Sequence, residues 1–365
     1  MKRTLLFCAA LLLCSCSLMG DKDSAPGLPD DARASYRGDS ARLDSEYRGW
    51  DFVVEKLREK DISESDLDHI YKNARMPRFE HIRFSLAPRE SEQAYSRHLA
   101  ADRLARGRSF MSRNRQILRK TQASYGVSEH IITAILLIES DFGRNTGSDL
   151  AIHRLSRLVA TADPENQEWN YQRLRRENSK VSRGQVKDRA RYLEELFLPE
   201  IIALIEISRE NQIDIFEIKG SRAGALGMPQ FLPTTYRKYA QDGDEDGRIS
   251  LFREPDAVWS VGNYLQAQGW KSSRSWEKNR EALWEYNRSE AYVNSVLKVA
   301  AALASSPGKT PAASRKSTAS KPKPVSDFSI PDAESEDAAA AQGPQPSLSE
   351  KMRDAITDWS QQNSF

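Results

Sequence analysis

The main body of this sequence contains no cysteine. The chain has 365 residues and three cysteines, Cys8, Cys14 and Cys16, all within its first sixteen positions. This placement excludes a disulfide framework and a cysteine-based metal site in the folded part. The five histidines are scattered without the spacing of metal ligands, so we interpret them as surface or structural residues.

An excess of charge and a long hydrophobic run are lacking as well. The chain has 54 Lys and Arg against 52 Asp and Glu, a net charge of +2. This balance gives no support for nucleic-acid binding or for a polybasic membrane face. The apolar run from Leu5 to Leu13 is too short to span a bilayer. Clear runs of alternating strands are missing, which predicts an essentially all-α domain.

Residues 1–15 have the pattern of an export signal. A basic start precedes the apolar run, and the run ends in LCSC, which resembles the lipobox of bacterial lipoproteins. The resemblance implies lipidation of Cys16, and two or more acyl chains would hold the protein firmly on a membrane. Ser17 resembles a residue that permits sorting to an outer membrane. An ordinary cleaved signal peptide with incidental cysteines is the alternative.

Composition divides the remaining chain into four parts. Residues 16–46 are polar and predict a flexible tether, and residues 47–304 carry helical patterns of one domain. Residues 305–346 are rich in Pro, Ala, Ser and Lys, which predicts a disordered linker. Residues 347–365 predict a C-terminal amphipathic helix that could dock on the domain, a protein partner or a membrane.

The stretch from Gly126 to Gly143 organises the domain. Ser128 is placed as a helix N-cap and Glu129 follows in the first turn, where the helix dipole favours a negative charge. The helix is apolar on most sides, which predicts burial, and it delivers Glu139 near its C-terminal end. Desolvation and the dipole are expected to raise the pKa of Glu139, as a general acid requires. The alternative is an ordinary solvated carboxylate.

Other segments have simpler patterns. Ala94–Thr121 predicts one long helix, and Tyr192–Ile207 predicts a second. Thr161–Lys187 is highly polar and is interpreted as a mobile insertion or a polar wall beside a cleft. Shorter helices are predicted over Thr234–Ala240, Val258–Gln268 and Glu290–Leu303, with a helical hairpin after Trp50.

Five motifs occur in a fixed order. They are IESDFGR at residues 138–144, a Gly- and Pro-rich segment at 219–236, DGDEDG at 242–247, a helix-forming segment at 256–270, and YNRSEAY at 286–292. Together they resemble the lytic murein transglycosylases of the membrane-bound B type, over roughly Trp50 to Ala302. The resemblance implies a mainly α, lysozyme-like domain with a deep substrate cleft.

The resemblance also implies a reaction. Such enzymes cut the β-1,4 bond between N-acetylmuramic acid and N-acetylglucosamine in peptidoglycan. The muramyl C6 hydroxyl attacks C1 of its own ring, which gives a 1,6-anhydro sugar. One catalytic Glu suffices because the nucleophile is tethered to the substrate, and Glu139 matches it. In a continuing helix Asp141 would lie about 200° round from Glu139, so a two-carboxylate hydrolysis would need a turn at Asp141.

The binding residues that the resemblance implies surround this position. The matching Ser and Gln of the Gly-rich loop contact the sugar or the catalytic Glu, and the aromatic–amide pair suits sugar stacking and N-acetyl recognition. The residues next to Glu139 are assigned to the site and to its turn. The alternatives are a plain Gly/Pro loop and a core tyrosine with an incidental Asn. The assigned substrate-binding residues are Ser221, Gln230, Tyr286, Asn287, Ser140 and Phe142.

An acidic loop at residues 242–247 contains candidate metal ligands. Asp242, Asp244 and Asp246 match the first half of a calcium-loop pattern, but the twelfth position is Arg253 and Glu254 comes one residue late. The resemblance implies a metal-bound loop. The departure leaves two interpretations open, a weak structural calcium or sodium site and a solvated acidic turn.

The resemblance implies further properties of the whole protein. Its partners would be peptidoglycan glycan strands and a membrane, reached through Cys16, with no nucleic acid and no required cofactor. Its location would be the cell envelope, on the periplasmic side of the outer membrane. A hydrolytic muramidase on the same fold and a non-catalytic peptidoglycan-binding lipoprotein are the alternatives.

Overall fold

The computed structural model describes residues 45–86 and 95–305. Lipidation of Cys16, the linker at 305–346 and the C-terminal helix at 347–365 fall outside the described residues, apart from residue 305. The tether at 16–46 does so apart from its last two positions. Within the described part of the chain, no helix is long and apolar enough to cross a membrane.

Helices build most of the described chain. The α-helices in order are α1 (Asp51–Arg58), α2 (Glu64–Tyr71), α3 (Ala101–Arg113), α4 (Arg115–Tyr125), α5 (Glu129–Ser140), α6 (Ala151–Val159), α7 (Pro164–Glu177), α8 (Arg183–Glu210), α9 (Pro233–Tyr239), α10 (Glu254–Ala267), α11 (Arg280–Tyr286) and α12 (Glu290–Ala304). Short 3₁₀ segments cover Arg97–Leu99, Ala160–Ala162 and Glu277–Asn279. The prediction of an essentially all-α domain is confirmed.

The central helix α5 forms as its sequence predicts. The Ser128 side chain caps it by accepting a hydrogen bond from the backbone N–H of His130 at 3.4 Å. Every residue from Ile131 to Ile138 is buried. Because the helix is enclosed by neighbouring helices, its C-terminal end is held inside the fold rather than at a free surface.

The predicted long helix over Ala94–Thr121 is divided in the structure. A 3₁₀ turn precedes α3, and Asn114 separates α3 from α4 with φ −101° and ψ 18°. The Asn114 amide donates to the Phe110 carbonyl at 3.1 Å. This side chain competes for a helix carbonyl, which explains why a continuous helical pattern is broken there.

The polar stretch Thr161–Lys187 contains α7 and the first turn of α8 and packs against the fold, so it is not a mobile insertion. Asp163 caps α7 by accepting from the backbone N–H of the second and third residues that follow it. The amide side chains of Asn166 and Asn170 are fully buried and bind the backbone of Ile82. The polar side chains are therefore used for internal contacts. A role as a cleft wall remains a prediction.

The Gly-rich loop, which is the Gly- and Pro-rich segment at residues 219–236, lies between two hydrophobic cores. One core surrounds α5, α10 and α12, and the other surrounds α1, α2, α6 and α8. The loop contributes Met228 and Phe231 to the first core and Leu226 to the second. At its end, Glu200 of α8 accepts from the backbone N–H and the hydroxyl of Thr234, at 2.8 and 2.6 Å. The loop is thus fixed on both sides.

A two-stranded sheet joins the turn after α5 to this loop. Strand β1 (Asp149–Leu150) pairs antiparallel with β2 (Lys219–Gly220). Gly147 has φ +88°, and a Cβ there would lie 2.1 Å from the Gly220 carbonyl oxygen. Only glycine permits this approach. The contact brings two distant motifs of the sequence together.

Candidate active site

Glu139 is the penultimate residue of α5 and is only partly exposed, with its Oε1 atom buried. The fully buried side chain of Tyr292, on α12, lies beside its carboxylate. Burial, together with the Glu139 carboxylate, holds the pKa of Tyr292 well above its usual range. The phenol therefore keeps its proton at neutral pH and presents a hydroxyl dipole to the carboxylate.

This contact predicts the effect of Tyr292→Phe. Loss of the hydroxyl removes the polar group beside the Glu139 carboxylate, so the pH–rate profile should shift. A polar group that faces a charge stabilises it by an amount that corresponds to about a tenfold change in rate, so kcat of Tyr292→Phe should fall about tenfold. Turnover of purified peptidoglycan between acidic and basic pH provides the measurement.

Tyr264→Phe is the matched control. Tyr264 is equally buried, but its hydroxyl donates to the Glu285 carbonyl at 2.5 Å. Its loss should lower thermal stability and leave the pH–rate profile in place. An unchanged profile for Tyr292→Phe, or the same shift in both variants, would contradict the role of Tyr292.

The turn after Glu139 has an uncommon backbone. Asp141 and Phe142 both have positive φ, 52° and 59°, in the left-handed region that non-glycine residues rarely adopt. Two contacts from α3 hold them there. Arg106 donates to both carboxylate oxygens of Asp141 at 3.0 Å, and Phe110 stacks on Phe142 with ring centroids 4.3 Å apart. A turn does form at Asp141, but its carboxylate is bound by Arg106.

Ser140 is part of the same turn. Its side chain is 1% exposed, and its hydroxyl donates to the Met228 carbonyl at 2.8 Å and accepts from the Gly143 N–H at 3.0 Å. These contacts place Ser140 in the support of the turn rather than in direct contact with a substrate. Phe142, stacked on α3, is positioned in the same way. Their substrate-binding role stays a prediction, and their predicted role in the turn agrees with the geometry.

The Gly-rich loop is bound by further predicted residues. The Tyr286 hydroxyl donates to the Pro229 carbonyl at 2.6 Å. The Gln230 amide donates to Thr146 O at 3.3 Å and to Gly227 O at 2.8 Å. Helix α5, the turn after it and the end of α11 therefore converge on residues 228–230. These contacts bring Ser140, Gln230 and Tyr286 into one constellation around the end of α5.

Ser221 organises the start of the loop. Its hydroxyl accepts from the backbone N–H groups of Ala223 and Ala225 at 3.3 and 3.2 Å, and the residue is 8% exposed. Gly227, with φ +68°, lies so close to Leu251 that an added Cβ would be 2.4 Å from the Leu251 Cβ. The loop is therefore rigid before any ligand binds.

Asn287 differs from these residues. It is 1% exposed, and neither its amide nitrogen nor its amide oxygen has a hydrogen-bond partner among the described residues. Burial of an unsatisfied amide is costly, so such a group suggests a partner that arrives from outside. An acetamido group offers the complementary acceptor and donor. This makes Asn287 the predicted binding residue with the most unused hydrogen-bonding capacity.

The acidic loop brings together a different set of carboxylates from the predicted one. Oxygen atoms of Asp242, Asp244 and Asp256 lie within 4.8 Å of one another. Asp246 is not in this group, because its carboxylate accepts from the backbone N–H of Arg248 and from the Arg253 guanidinium. Burial, followed by the like charges of the neighbouring aspartates, raises the pKa of Asp256.

A depression of about 440 Å³ lies against α8 and α9, lined by Pro199, Glu206 and Arg237 among other residues. None of the predicted site residues lines it.

Sequence reasoning did not assign three residues that the structure places in or near the site. Tyr292 lies in the fifth motif and Arg106 lies in the predicted long helix, but nothing in their spacing shows that they meet Asp141 and Glu139. Asp256 follows the acidic loop by ten residues and enters it from the first turn of α10. All three assignments depend on contacts between segments that are separated in the sequence.

Comparisons with known proteins identify the family of this chain. The family model of the "Transglycosylase SLT domain" matches residues 46–279. "Membrane-bound lytic murein transglycosylase B" of Escherichia coli (strain K12) is 31% identical over 172 residues, which cover 47% of this chain and 40% of that protein. The chain thus matches about two fifths of the length of this curated relative.

Solved structures have the same fold. The soluble lytic transglycosylase SltB1 from Pseudomonas aeruginosa has a TM-score of 0.54 at 23% identity, covering 70% of this chain and 97% of that one. The Escherichia coli lytic transglycosylase Slt35 in complex with calcium has a TM-score of 0.52 at 22% identity, covering 70% and 92%. The lysozyme-like helical fold is confirmed. Because the family model matches more than half of this chain, the chain belongs to the transglycosylase SLT domain family.

Proposed function

We propose that this protein is a lytic transglycosylase that cleaves the β-1,4 bond between N-acetylmuramic acid and N-acetylglucosamine in peptidoglycan without water. Membership of the family and the murein named for the Escherichia coli relative support the substrate class. The position of Glu139, at the buried end of α5 beside Tyr292, supports the reaction.

Glu139 supplies both proton transfers. As the acid, it donates a proton to the glycosidic oxygen while the bond from that oxygen to C1 of the muramyl residue breaks. As the resulting carboxylate, it accepts the proton of the muramyl C6 hydroxyl while that oxygen bonds to C1. The proton count closes, the glutamic acid is regenerated, and the product carries a 1,6-anhydro ring.

The state of Asp141 is the observation that favours this reaction over hydrolysis. Glycosidases that use water commonly need a second carboxylate to act as a nucleophile or a base. The nearest carboxylate in the sequence, Asp141, is held by both of its oxygens on Arg106. An intramolecular nucleophile removes the need for a second carboxylate, because it is already positioned by the substrate.

Mass spectrometry of digested peptidoglycan tests the proposal. Transglycosylase products lack one water relative to hydrolysis products, so each released muramyl end should have the lower mass and no reducing group. Products with reducing muramyl ends would establish a muramidase instead. Binding to sacculi without the release of fragments would establish a non-catalytic binding protein.

We also infer that the protein works from a lipid anchor at Cys16 on the periplasmic side of the outer membrane. The lipobox-like sequence supports this, as does the word "membrane-bound" in the name of the Escherichia coli relative. Cys16→Ser should move the protein from the membrane fraction to the soluble fraction. If the variant stays in the membrane fraction, the anchor is elsewhere.

A further inference from the structure

The long helix α8 carries a buried carboxylate that the proposed reaction does not use. Glu200 is 5% exposed and follows Pro199 inside the helix. Burial raises the pKa of Glu200 to about 7, against the opposing effect of two hydrogen bonds from Thr234. No charged side chain contributes to this shift in the described part of the chain. A carboxylate without a cation is costly in a core, so the contacts that it makes there are informative.

Both carboxylate oxygens of Glu200 bond one residue of the Gly-rich loop. Oε2 accepts from the backbone N–H of Thr234 at 2.8 Å, and Oε1 accepts from its hydroxyl at 2.6 Å. Thr234 is the second residue of α9, so its N–H is one of those that the start of a helix leaves without an internal partner. The N-cap residue, Leu232, makes no side-chain capping bond. Glu200 therefore supplies from α8 a cap that the loop's own sequence lacks.

The capped segment leads directly to the turn after α5. Phe231 and Leu226 exchange two backbone hydrogen bonds, at 2.7 and 3.2 Å, which close the bend between them. Inside this bend, the Met228 carbonyl accepts from the hydroxyl of Ser140 at 2.8 Å. Ser140 is the residue that follows Glu139. A displacement at the start of α9 can thus reach the position of Glu139 through a short chain of backbone contacts.

Packing alone does not explain a carboxylate at this position. An apolar side chain of similar size would fill the same space without the cost of desolvating a charge. The neighbouring residues Ile201 and Leu204 are fully buried and already supply such packing. What the carboxylate adds is direction, because its two oxygens fix both the N–H and the hydroxyl of Thr234.

We propose that Glu200 is a positioning residue, which fixes the start of α9 and thereby holds the Gly-rich loop against the turn that follows Glu139. This inference rests on the proposed function, since it assigns Glu200 an effect on the rate of peptidoglycan cleavage. Glu200 acts through Thr234 and the loop. Displacement of a catalytic group by about 1 Å can cost on the order of a hundredfold in rate.

Two measurements on the purified protein test this inference, the rate of fragment release from sacculi and the hydrogen exchange of the loop amides. Glu200→Ala removes both contacts, so its rate should fall by at least about tenfold and the amides of residues 226–234 should exchange faster. Glu200→Gln should restore both properties. Its amide oxygen can accept from the Thr234 N–H while its NH₂ group donates to the hydroxyl.

Leu204→Ala is the matched control. Leu204 is fully buried, lies one turn of α8 beyond Glu200, and contributes packing to the second core. This variant should lower the melting temperature at least as much as Glu200→Ala, but well below melting it should keep the wild-type rate and loop exchange. Thr234→Val removes the hydroxyl contact alone, so its rate should lie between those of the wild type and Glu200→Ala.

The outcomes separate this inference from the proposed function. Equal rates in Glu200→Ala and the wild type would overturn a positioning role, as would a Glu200→Gln variant as slow as Glu200→Ala. Equal losses of rate in Leu204→Ala and Glu200→Ala would also overturn it, because general destabilisation would then suffice. A wild type that releases no fragments would overturn the proposed function, whereas unchanged loop exchange in Glu200→Ala would overturn the cap itself.

Discussion

Glu139→Gln should abolish peptidoglycan cleavage and leave the fold intact. The amide has the shape of the acid but cannot donate its proton to the glycosidic oxygen or accept one from the C6 hydroxyl. Because both transfers use this one group, we expect kcat to fall by at least about a thousandfold. Release of soluble fragments from purified sacculi measures the loss, and sedimentation with sacculi measures binding.

Glu129→Gln provides the control on the same helix. Glu129 lies in the first turn of α5, where the helix dipole favours its charge, and its substitution should leave the rate nearly unchanged. Glu139→Gln should still sediment with sacculi, which separates catalysis from binding. Wild-type cleavage by Glu139→Gln would remove the proposed mechanism, and loss of binding alone would make Glu139 a recognition residue.

Arg106→Met should lower both stability and kcat. Asp141 is 6% exposed and follows Glu139 by two residues, so loss of the guanidinium leaves a charge buried without its partner. The turn relaxes from its left-handed conformation, and Glu139 moves with it. Misplacement of a catalytic group by about 1 Å can cost on the order of a hundredfold in rate. Thermal melting and kcat on peptidoglycan are the two measurements.

Three further variants separate an effect on the position of Glu139 from an effect on the stability of the fold. Arg106→Lys keeps the charge but loses the two-pronged contact, so its kcat should lie between those of the wild type and Arg106→Met. Asp141→Asn added to Arg106→Met removes the buried charge and should restore melting more than kcat. Asp102→Asn removes the exposed partner of the same arginine and should change neither. Equal losses in all variants would contradict a positioning role for Arg106.

Much of α5 could be predicted from its own residues. The cap at Ser128 and the apolar run to Ile138 act within a few positions of one another, so the helix and the place of Glu139 at its end follow from local interactions. Other helix boundaries could not be predicted from the local sequence. The break at Asn114 depends on an amide that bonds the preceding turn rather than water, and composition does not distinguish the two.

The roles of the polar residues were harder to predict. Ser140 and Phe142 stand next to the catalytic position, which favours a substrate contact, yet their side chains are occupied by Met228 and Phe110. The acidic loop shows the same limit. The spacing of its aspartates predicts Asp246 as a metal ligand. The carboxylate oxygens that lie close together belong to Asp242, Asp244 and Asp256, the last from the first turn of α10.

The sequence by itself determined the helical class, the central helix and the place of Glu139 at its end, because caps, dipoles and apolar periodicity act over one or two turns of chain. Only the tertiary structure decided which partner each polar group has. Tyr292 lies 153 positions from Glu139, and Arg106 reaches Asp141 from another helix. Such pairs form when packing excludes water from both groups at once, and that depends on how distant segments meet.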